Sequence, residues 1–109
     1  MRVQYHEAAE EELLHAIGYL ESRAKGLGRR FYADIRRAET LISQFPESAP
    51  EILPGIRRCI LQKFPYSLFY SEESGELLIL AVAHHKRRPG YWASRVGSGP
   101  EEEPGSRQD

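Results

Sequence analysis

The first 45 residues show a short alternation followed by two stretches of helical periodicity. Residues 1–5 alternate apolar and polar side chains, which predicts a short, half-buried strand. Apolar residues then recur at spacings of three and four over residues 7–25 and again over residues 29–45, so each set lies on one helical face. Because Gly26-Leu27-Gly28 leaves only a short connection, we predict an antiparallel helix pair.

The pattern changes in the second half of the chain. Residues 46–55 contain prolines and end in a glycine, which predicts an extended loop. Residues 56–61 alternate, and residues 66–71 are rich in aromatic side chains, so both stretches predict strands. Residues 77–83 are apolar throughout, as is typical of a central strand that is covered on both faces.

The predicted element order is strand, helix, helix, strand, strand, strand. Two amphipathic helices need an apolar surface, and a sheet supplies one. We therefore predict an α+β fold in which the N-terminal strand and a three-stranded antiparallel meander form one sheet, with the helix hairpin on one face. The other face, or an edge, is left to bind a partner. Residues 1–96 form this single domain, and residues 97–109 are predicted to be a flexible acidic tail.

Composition excludes several classes of protein. A chain of 109 residues supports one domain with a modest core. The single cysteine, Cys59, excludes an internal disulfide and a thiolate metal cluster. No HExxH, CxxC or phosphate-binding glycine motif occurs, so we expect no metal and no cofactor. No apolar run approaches the roughly 18 residues of a membrane span, and we expect a cytoplasmic protein that does not bind membranes.

The charge of the chain is unevenly distributed. The net charge is −1, but residues 55–96 contain 7 basic and 3 acidic side chains. The acidic residues of the tail hide this basic segment in the total. Such a segment attracts phosphates. The alternative is a solvated sheet face with ordinary charges.

Residues 84–95, directly after the most apolar strand, contain the highest density of candidate functional side chains. Arginine and lysine side chains suit phosphate oxygens, and tryptophan can stack on an unpaired base. The candidate residues for binding nucleic acid or another target in this segment are Lys86, Arg87, Arg88, Trp92 and Arg95. The alternative is a charged strand end that extends into water, with Trp92 capping the core.

Histidine is the best general acid or base near neutral pH. Strict alternation along the strand places His84 and His85 on opposite faces. The set with the parity of His84 is bulkier and should face the helices: Leu78, Leu80 and Val82. The set with the parity of His85 should face the open side: Leu77, Ile79, Ala81 and Ala83. We therefore favour His85 as the functional histidine.

The strand over residues 56–61 adds a second group of cations. Arg57 and Arg58 point to opposite faces, so at least one of them shares a side with His85. Lys63 lies in the turn that follows. We count these three cations among the candidate site residues. The alternative is a pair of exposed charges that protect a sheet edge from aggregation.

Several short motifs together resemble a known family. In chain order they are Ala8-Ala9-Glu10-Glu11-Glu12-Leu13, Gly26-Leu27-Gly28 with Phe31, Phe45-Pro46, Arg57-Arg58 with Phe64-Pro65-Tyr66 and Tyr70, and Leu80-Ala81-Val82-Ala83-His84 with Arg87, Arg88-Pro89, Tyr91-Trp92 and Arg95. Over residues 1–96 this ordered set resembles the RelE/ParE superfamily of bacterial toxins. The resemblance implies the microbial RNase-like fold, the toxin of a type II toxin–antitoxin pair, and a cognate antitoxin.

The resemblance leaves the target open. RelE-like members cut mRNA on the ribosome without a metal, using cations and a tyrosine or histidine. Matched to them, Tyr91 takes the place of their tyrosine, His85 lies near an arginine position, and Ser67 replaces another arginine. The candidate catalytic residues are therefore His85, Tyr91 and Arg58.

ParE-like members poison DNA gyrase instead. A third possibility is an inactive homologue that only binds its antitoxin and, as a complex, operator DNA.

Overall fold

The computed structural model describes residues 1–97, which form a five-stranded mixed sheet and two long helices. The elements are β1 Val3–Tyr5, α1 Glu7–Arg23, α2 Leu27–Gln44, β2 Glu51–Leu53, β3 Ile56–Ile60, β4 Tyr66–Glu73, β5 Glu76–His84 and a 3-10 turn Ala93–Arg95. The predicted tail, residues 97–109, lies outside the described residues except for Gly97. Neither helix in residues 1–97 is long and apolar enough to cross a membrane.

The sheet has the strand order β1-β5-β4-β3-β2. The β3–β4–β5 meander is antiparallel, as predicted, and β1 lies parallel to β5. The structure adds one strand to the prediction, because β2 pairs antiparallel with β3 inside the stretch predicted as a loop. All three side chains of β2 are exposed, so buried and exposed positions do not alternate along this strand.

The helix hairpin depends on its joint. Gly26 has a φ of 84°, a left-handed backbone that favours glycine. At Gly28 an added Cβ would lie 2.6 Å from the carbonyl oxygen of Ile17, so only glycine lets the two helices approach this closely. The Glu21 carboxylate accepts hydrogen bonds from the backbone N–H groups of Gly26 and Gly28, at 2.9 and 3.0 Å. These two bonds lower the pKa of Glu21.

The main core lies between the helices and one face of the sheet. Fully buried side chains of α2 pack against fully buried side chains of the central strands: Phe31, Ile35 and Ile42 from the helix, and Leu68, Leu77 and Ile79 from the sheet. The Phe31 ring lies 4.8 Å from that of Tyr66 and 5.3 Å from that of Phe64. The face of the sheet on which the helices pack, which we call the helix-covered face, is therefore lined with apolar side chains.

A β-bulge in β5 changes which residues face the helices. Phe69 pairs with Ala81, but the next residue, Tyr70, pairs with Ile79, so Leu80 is an extra residue on β5. Leu77, Ile79 and Val82 therefore join the helix-side core, whereas the opposite face receives Leu78, Leu80 and Ala81. The predicted sides of Leu77, Leu78, Ile79 and Leu80 are wrong, because strict alternation assumes an unbroken ladder.

The other face of the sheet, which we call the open face, is partly covered by the chain itself. Residues 91–96 fold back so that Trp92 packs among Ile56, Leu78 and Leu80, with only 3% of its surface exposed. The Trp92 ring stacks on Phe69 at 4.7 Å. Trp92 therefore caps a small core on the open face, as the alternative interpretation of this residue supposed. The part of the open face that a ligand can reach is a pocket beside Trp92.

Candidate target-binding site

A cavity of about 330 Å³ lies on the open face between the ends of the strands and the segment that follows β5. We call it the open-face pocket, and its lining residues are Ile52, Arg58, Ser67, Phe69, Ala83, His84, His85, Arg87, Arg88, Pro89, Gly90, Tyr91 and Trp92. Three arginines line it, and among the described residues no aspartate or glutamate does. The pocket therefore favours an anionic group.

The polar wall of the pocket is a chain of three side chains from three strands and their ends. Ser67 is fully buried on β4. Its hydroxyl accepts a hydrogen bond from Nε of Arg58 at 3.0 Å and lies 3.0 Å from Nε2 of His85. The hydroxyl can donate to Nε2 or accept from it, and the tautomer of the imidazole decides which. Within residues 1–97 only Nε of Arg58 is hydrogen-bonded, so its two terminal nitrogens can contact a ligand in the pocket.

The opposite wall comes from the turn after β5. The Arg87 guanidinium lies 3.7 Å from the centre of the Tyr91 ring, a close cation–π contact. Gly90 has a φ of 75°, and this backbone turns the chain back over the sheet. Because the Trp92 ring is stacked on Phe69 and buried, Trp92 forms the floor of the pocket rather than a surface for stacking bases.

The hydroxyl of Tyr91 is engaged outside this pocket. It donates a hydrogen bond to Oε2 of Glu12 on α1, at 2.8 Å. Burial and this bond to a carboxylate both raise the pKa of Tyr91 above its ordinary value. Because its hydroxyl donates to Glu12 and is directed away from the Arg58–Ser67–His85 chain, the geometry does not suit Tyr91 as a general base in the pocket.

Of the ten candidate site residues, six line the open-face pocket: Arg58, His85, Arg87, Arg88, Tyr91 and Trp92. The other four candidates, Arg57, Lys63, Lys86 and Arg95, do not line it. The guanidinium of Arg57 lies with the opposite, helix-side residues and donates to the carbonyl oxygen of Ala49 at 2.7 Å. Lys86 is exposed in the turn, where its backbone N–H donates to His84.

Lys63 and Arg95 are also placed away from the open-face pocket. Lys63 borders a separate cavity of about 430 Å³ beside α2, because its backbone N–H donates to the buried Asp34 carboxylate at 2.8 Å. Arg95 forms an ion pair with Glu12 at 2.9 Å. Lys63 is held through its backbone by Asp34 of α2, and Arg95 is held by Glu12 of α1. Both residues therefore lie beside a helix carboxylate and not beside the cations of the open-face pocket.

Two residues of the site are not evident from the sequence. Glu12 reads as one of several acidic residues that suit the first turns of a helix. Its partners are 70 to 83 positions away in the chain, so no local signal reveals them. Phe69 stands on β4 as an ordinary strand aromatic, and only the tertiary structure stacks it on Trp92.

Comparison with known proteins gives the family. A family model described as the ParE toxin of the type II toxin–antitoxin system parDE matches residues 3–89. The chain belongs to this ParE toxin family. It is therefore a type II toxin of the RelE/ParE superfamily, and the family resemblance found in the sequence is confirmed. The matched range ends before Tyr91, Trp92 and Arg95.

A solved structure has the same fold as this toxin. A chain from "Chromosomal ParDE TA system from P. aeruginosa" superposes with a TM-score of 0.65 and 19% sequence identity. The match covers 77% of this chain and 95% of that chain. The predicted α+β fold is thereby confirmed. A comparison with curated protein sequences finds no match.

Proposed function

We propose that this toxin arrests bacterial growth by poisoning DNA gyrase, and that the open-face pocket is part of the surface that contacts the target. A cognate antitoxin neutralises it, and operator DNA is bound only through the toxin–antitoxin complex. The proposal rests on membership of the ParE family and on one observation about chemistry. The hydroxyl of Tyr91 is bonded to Glu12 instead of facing the Arg58–Ser67–His85 chain.

This observation argues against proton transfer by Tyr91. Cleavage of RNA by its own 2′-hydroxyl needs a group that takes up the hydroxyl proton and fixed cations that stabilise the charge on the phosphate. Tyr91 is a phenol near neutral pH, as an ordinary tyrosine is, and burial and the bond to Glu12 raise its pKa further. Ser67 also stands where RelE-like members have an arginine, so one fixed cation is replaced by a neutral hydroxyl.

The cations of the pocket suit binding rather than chemistry. Arg58, Arg87 and Arg88 line one concave surface beside an aromatic floor. DNA gyrase acts on DNA, so its working complex presents phosphates next to protein. A pocket of three arginines complements such a surface, and electrostatic attraction also speeds the encounter.

A second candidate function is metal-independent cleavage of mRNA on the ribosome. The Arg58–Ser67–His85 chain supports it, because it places an imidazole and a guanidinium within hydrogen-bond reach of one hydroxyl. On this alternative, His85 moves the proton and Arg58 stabilises the phosphate. His85→Ala would then abolish RNA cleavage without disturbing the fold.

Expression in a bacterium that lacks the antitoxin separates these functions. Pulse labels for DNA, RNA and protein synthesis follow induction, and the purified toxin is tested for inhibition of gyrase supercoiling. We expect DNA synthesis to fall first and supercoiling to be inhibited. Early loss of translation with cut mRNA would replace the gyrase proposal by the ribonuclease one. Normal growth with abundant folded protein would indicate the inactive homologue.

The pocket is tested with a pair of neighbouring arginines. Arg87→Gln with Arg88→Gln should weaken inhibition of gyrase at least about tenfold, since two cations leave the pocket. Arg29→Gln with Arg30→Gln is the matched control, because these neighbouring arginines are exposed on α2. Equal loss of inhibition in both double variants would contradict a role for the pocket.

A further inference from the structure

The Glu12 carboxylate joins three elements that are far apart in the chain. We call Glu12, Val82, Tyr91 and Arg95 the Glu12 clasp. Oε1 of Glu12 accepts hydrogen bonds from the backbone N–H of Val82 at 3.0 Å and from Arg95 at 3.1 Å. Oε2 accepts from the Tyr91 hydroxyl at 2.8 Å and from Arg95 at 2.9 Å. Only 17% of the Glu12 side chain is exposed, so water competes weakly for these bonds.

The clasp occupies the edge of β5 where β1 ends. Pairing between β1 and β5 stops at Tyr5 opposite Ile79. Beyond this point, the carbonyl oxygen of Leu80 accepts a hydrogen bond from Arg95 at 3.0 Å, and the N–H of Val82 donates to Glu12. An ion pair therefore stands where a further strand would pair, and it satisfies backbone groups that would otherwise remain open.

The segment that the clasp holds has little structure of its own. Its described backbone hydrogen bonds all reach back three residues, from the N–H groups of Tyr91, Ala93, Arg95 and Val96, at 2.9 to 3.3 Å. A single 3-10 turn is not stable in isolation, since one turn gains few bonds for the entropy it loses. The position of residues 91–96 therefore depends on the burial of Trp92 and on the clasp.

All the partners of Glu12 in the clasp are donors, and this gives the residue a strict chemical requirement. A carboxylate offers two acceptor oxygens and accepts from the backbone N–H, the phenol and both terminal guanidinium nitrogens of Arg95 at once. A glutamine has nearly the same shape, but its amide nitrogen would face another donor. The site therefore requires the charge and the acceptor pair of glutamate, not only its length.

We propose that Glu12 is a positioning residue for the open-face pocket. Through Tyr91 and Arg95 it holds residues 91–96 against the sheet, and this keeps the Tyr91 wall and the Trp92 floor of the pocket in place. The part of the proposal that concerns action on the target rests on the function proposed above. The structural part does not, because it concerns only the docking of residues 91–96.

The test uses Glu12→Gln in the full chain, with Glu11→Gln as the matched control, because Glu11 is the neighbouring residue on α1 and is exposed. Trp92 is the only tryptophan, so its fluorescence reports the docking of the segment directly. In Glu12→Gln we expect a red-shifted emission, stronger quenching by acrylamide and at least tenfold faster amide exchange over residues 91–96. Exchange in α2 and β4 should stay as in the wild type, and Glu11→Gln should change none of these readouts.

Arg95→Gln provides a second route to the same state if Glu12→Gln folds poorly. It breaks the clasp from the other side and should produce the same Trp92 shift. Combining the two substitutions should add little to either one, because each already opens the clasp. Wild-type emission and exchange in both single variants would overturn the proposal.

Gyrase inhibition then connects the clasp to the target. We expect Glu12→Gln to lower the potency of inhibition at least tenfold while the urea midpoint of the core changes little. If the wild-type toxin does not inhibit gyrase, the proposed function fails, yet the fluorescence and exchange results still decide the clasp. Loss of potency with a wild-type Trp92 signal would overturn positioning by Glu12.

Discussion

The two faces of the sheet differ in what covers them. Helices of 17 and 18 residues bury one face, and fully buried side chains from both layers meet there. Within residues 1–97, the open face is covered by residues 91–96, which contribute the buried Trp92 and the partly buried Tyr91. Stability should therefore reside on the first face, while the second can leave arginines and a histidine in contact with water. Binding residues commonly lie on such segments, supported by a rigid sheet.

Each helix also supplies a carboxylate to a tyrosine, and the comparison extends to these pairs. Tyr5 of β1 donates a hydrogen bond to Glu39 of α2. Tyr91 of the C-terminal segment donates to Glu12 of α1. The first bond joins two elements of the main core, whereas the second holds residues 91–96 at the edge of β5. The same chemistry thus serves the fold in one place and the pocket in the other.

Truncation of one large aromatic on each face should give the largest difference. Phe31→Ala removes a fully buried ring between α2 and the sheet, and we expect a loss of about 3–5 kcal/mol in the free energy of unfolding. Trp92→Ala should cost clearly less, because residues 91–96 can detach while the main core persists. Urea unfolding followed by circular dichroism measures both.

Phe45→Ala is the control for these truncations, since 60% of Phe45 is exposed, and its effect should stay within about 0.5 kcal/mol. An equal cost for Phe31→Ala and Trp92→Ala would contradict the distinction between the two faces and would indicate one cooperative core.

Two glycines sharpen the account of the helix-covered face. Gly28→Ala places a Cβ 2.6 Å from the backbone oxygen of Ile17, and overpacking of this kind should destabilise the toxin by about 1–3 kcal/mol. Gly18→Ala meets nothing within 4 Å inside α1 and should stabilise it by about 0.5–1 kcal/mol. Thermal unfolding of the two variants should therefore shift in opposite directions, and a shared direction would contradict the close approach at Gly28.

The smallest expected effect is a loss of stability at alkaline pH. Burial raises the pKa of both Tyr5 and Tyr91, and their carboxylate partners raise it further. The unfolded chain loses these phenolic protons from about pH 10, while the folded chain retains them. Stability is therefore complete below about pH 10 and falls as the pH rises above it.

Replacing both tyrosines by phenylalanine should make this alkaline slope shallower, as measured by melting temperature between about pH 8 and pH 11. Tyr5→Phe and Tyr91→Phe should each remove a similar part of the slope, because both folded phenols stay protonated throughout this range. An unchanged slope in the double variant would show that other groups cause the alkaline loss.

Much of the fold could be predicted because its signals are local. The predicted helices, residues 7–25 and 29–45, agree with α1 and α2 to within two residues at each end. Amphipathic periodicity marks their length, and Gly26 and Pro46 mark their ends. The short strand β2 was missed because three exposed residues show no alternation.

The site was harder to predict than the fold. Alternation alone required that one of Arg57 and Arg58 face the side of His85, and it could not say which. The structure places Arg58 there, where it donates to Ser67. Arg95 and Lys63 were counted among the candidate site residues because of their charge. In the structure they lie beside carboxylates of α1 and α2, away from the open-face pocket.

The helix pair, the meander and the family resemblance could be inferred from the sequence, because periodicity, turn residues and ordered motifs are local signals. Which side chains share a surface depends on tertiary packing instead. A single extra residue, Leu80, exchanges the faces of half of β5, and whether the ladder contains a bulge depends on the partner strand. Likewise, Glu12 meets Arg95 across 83 positions, a contact that no local pattern encodes.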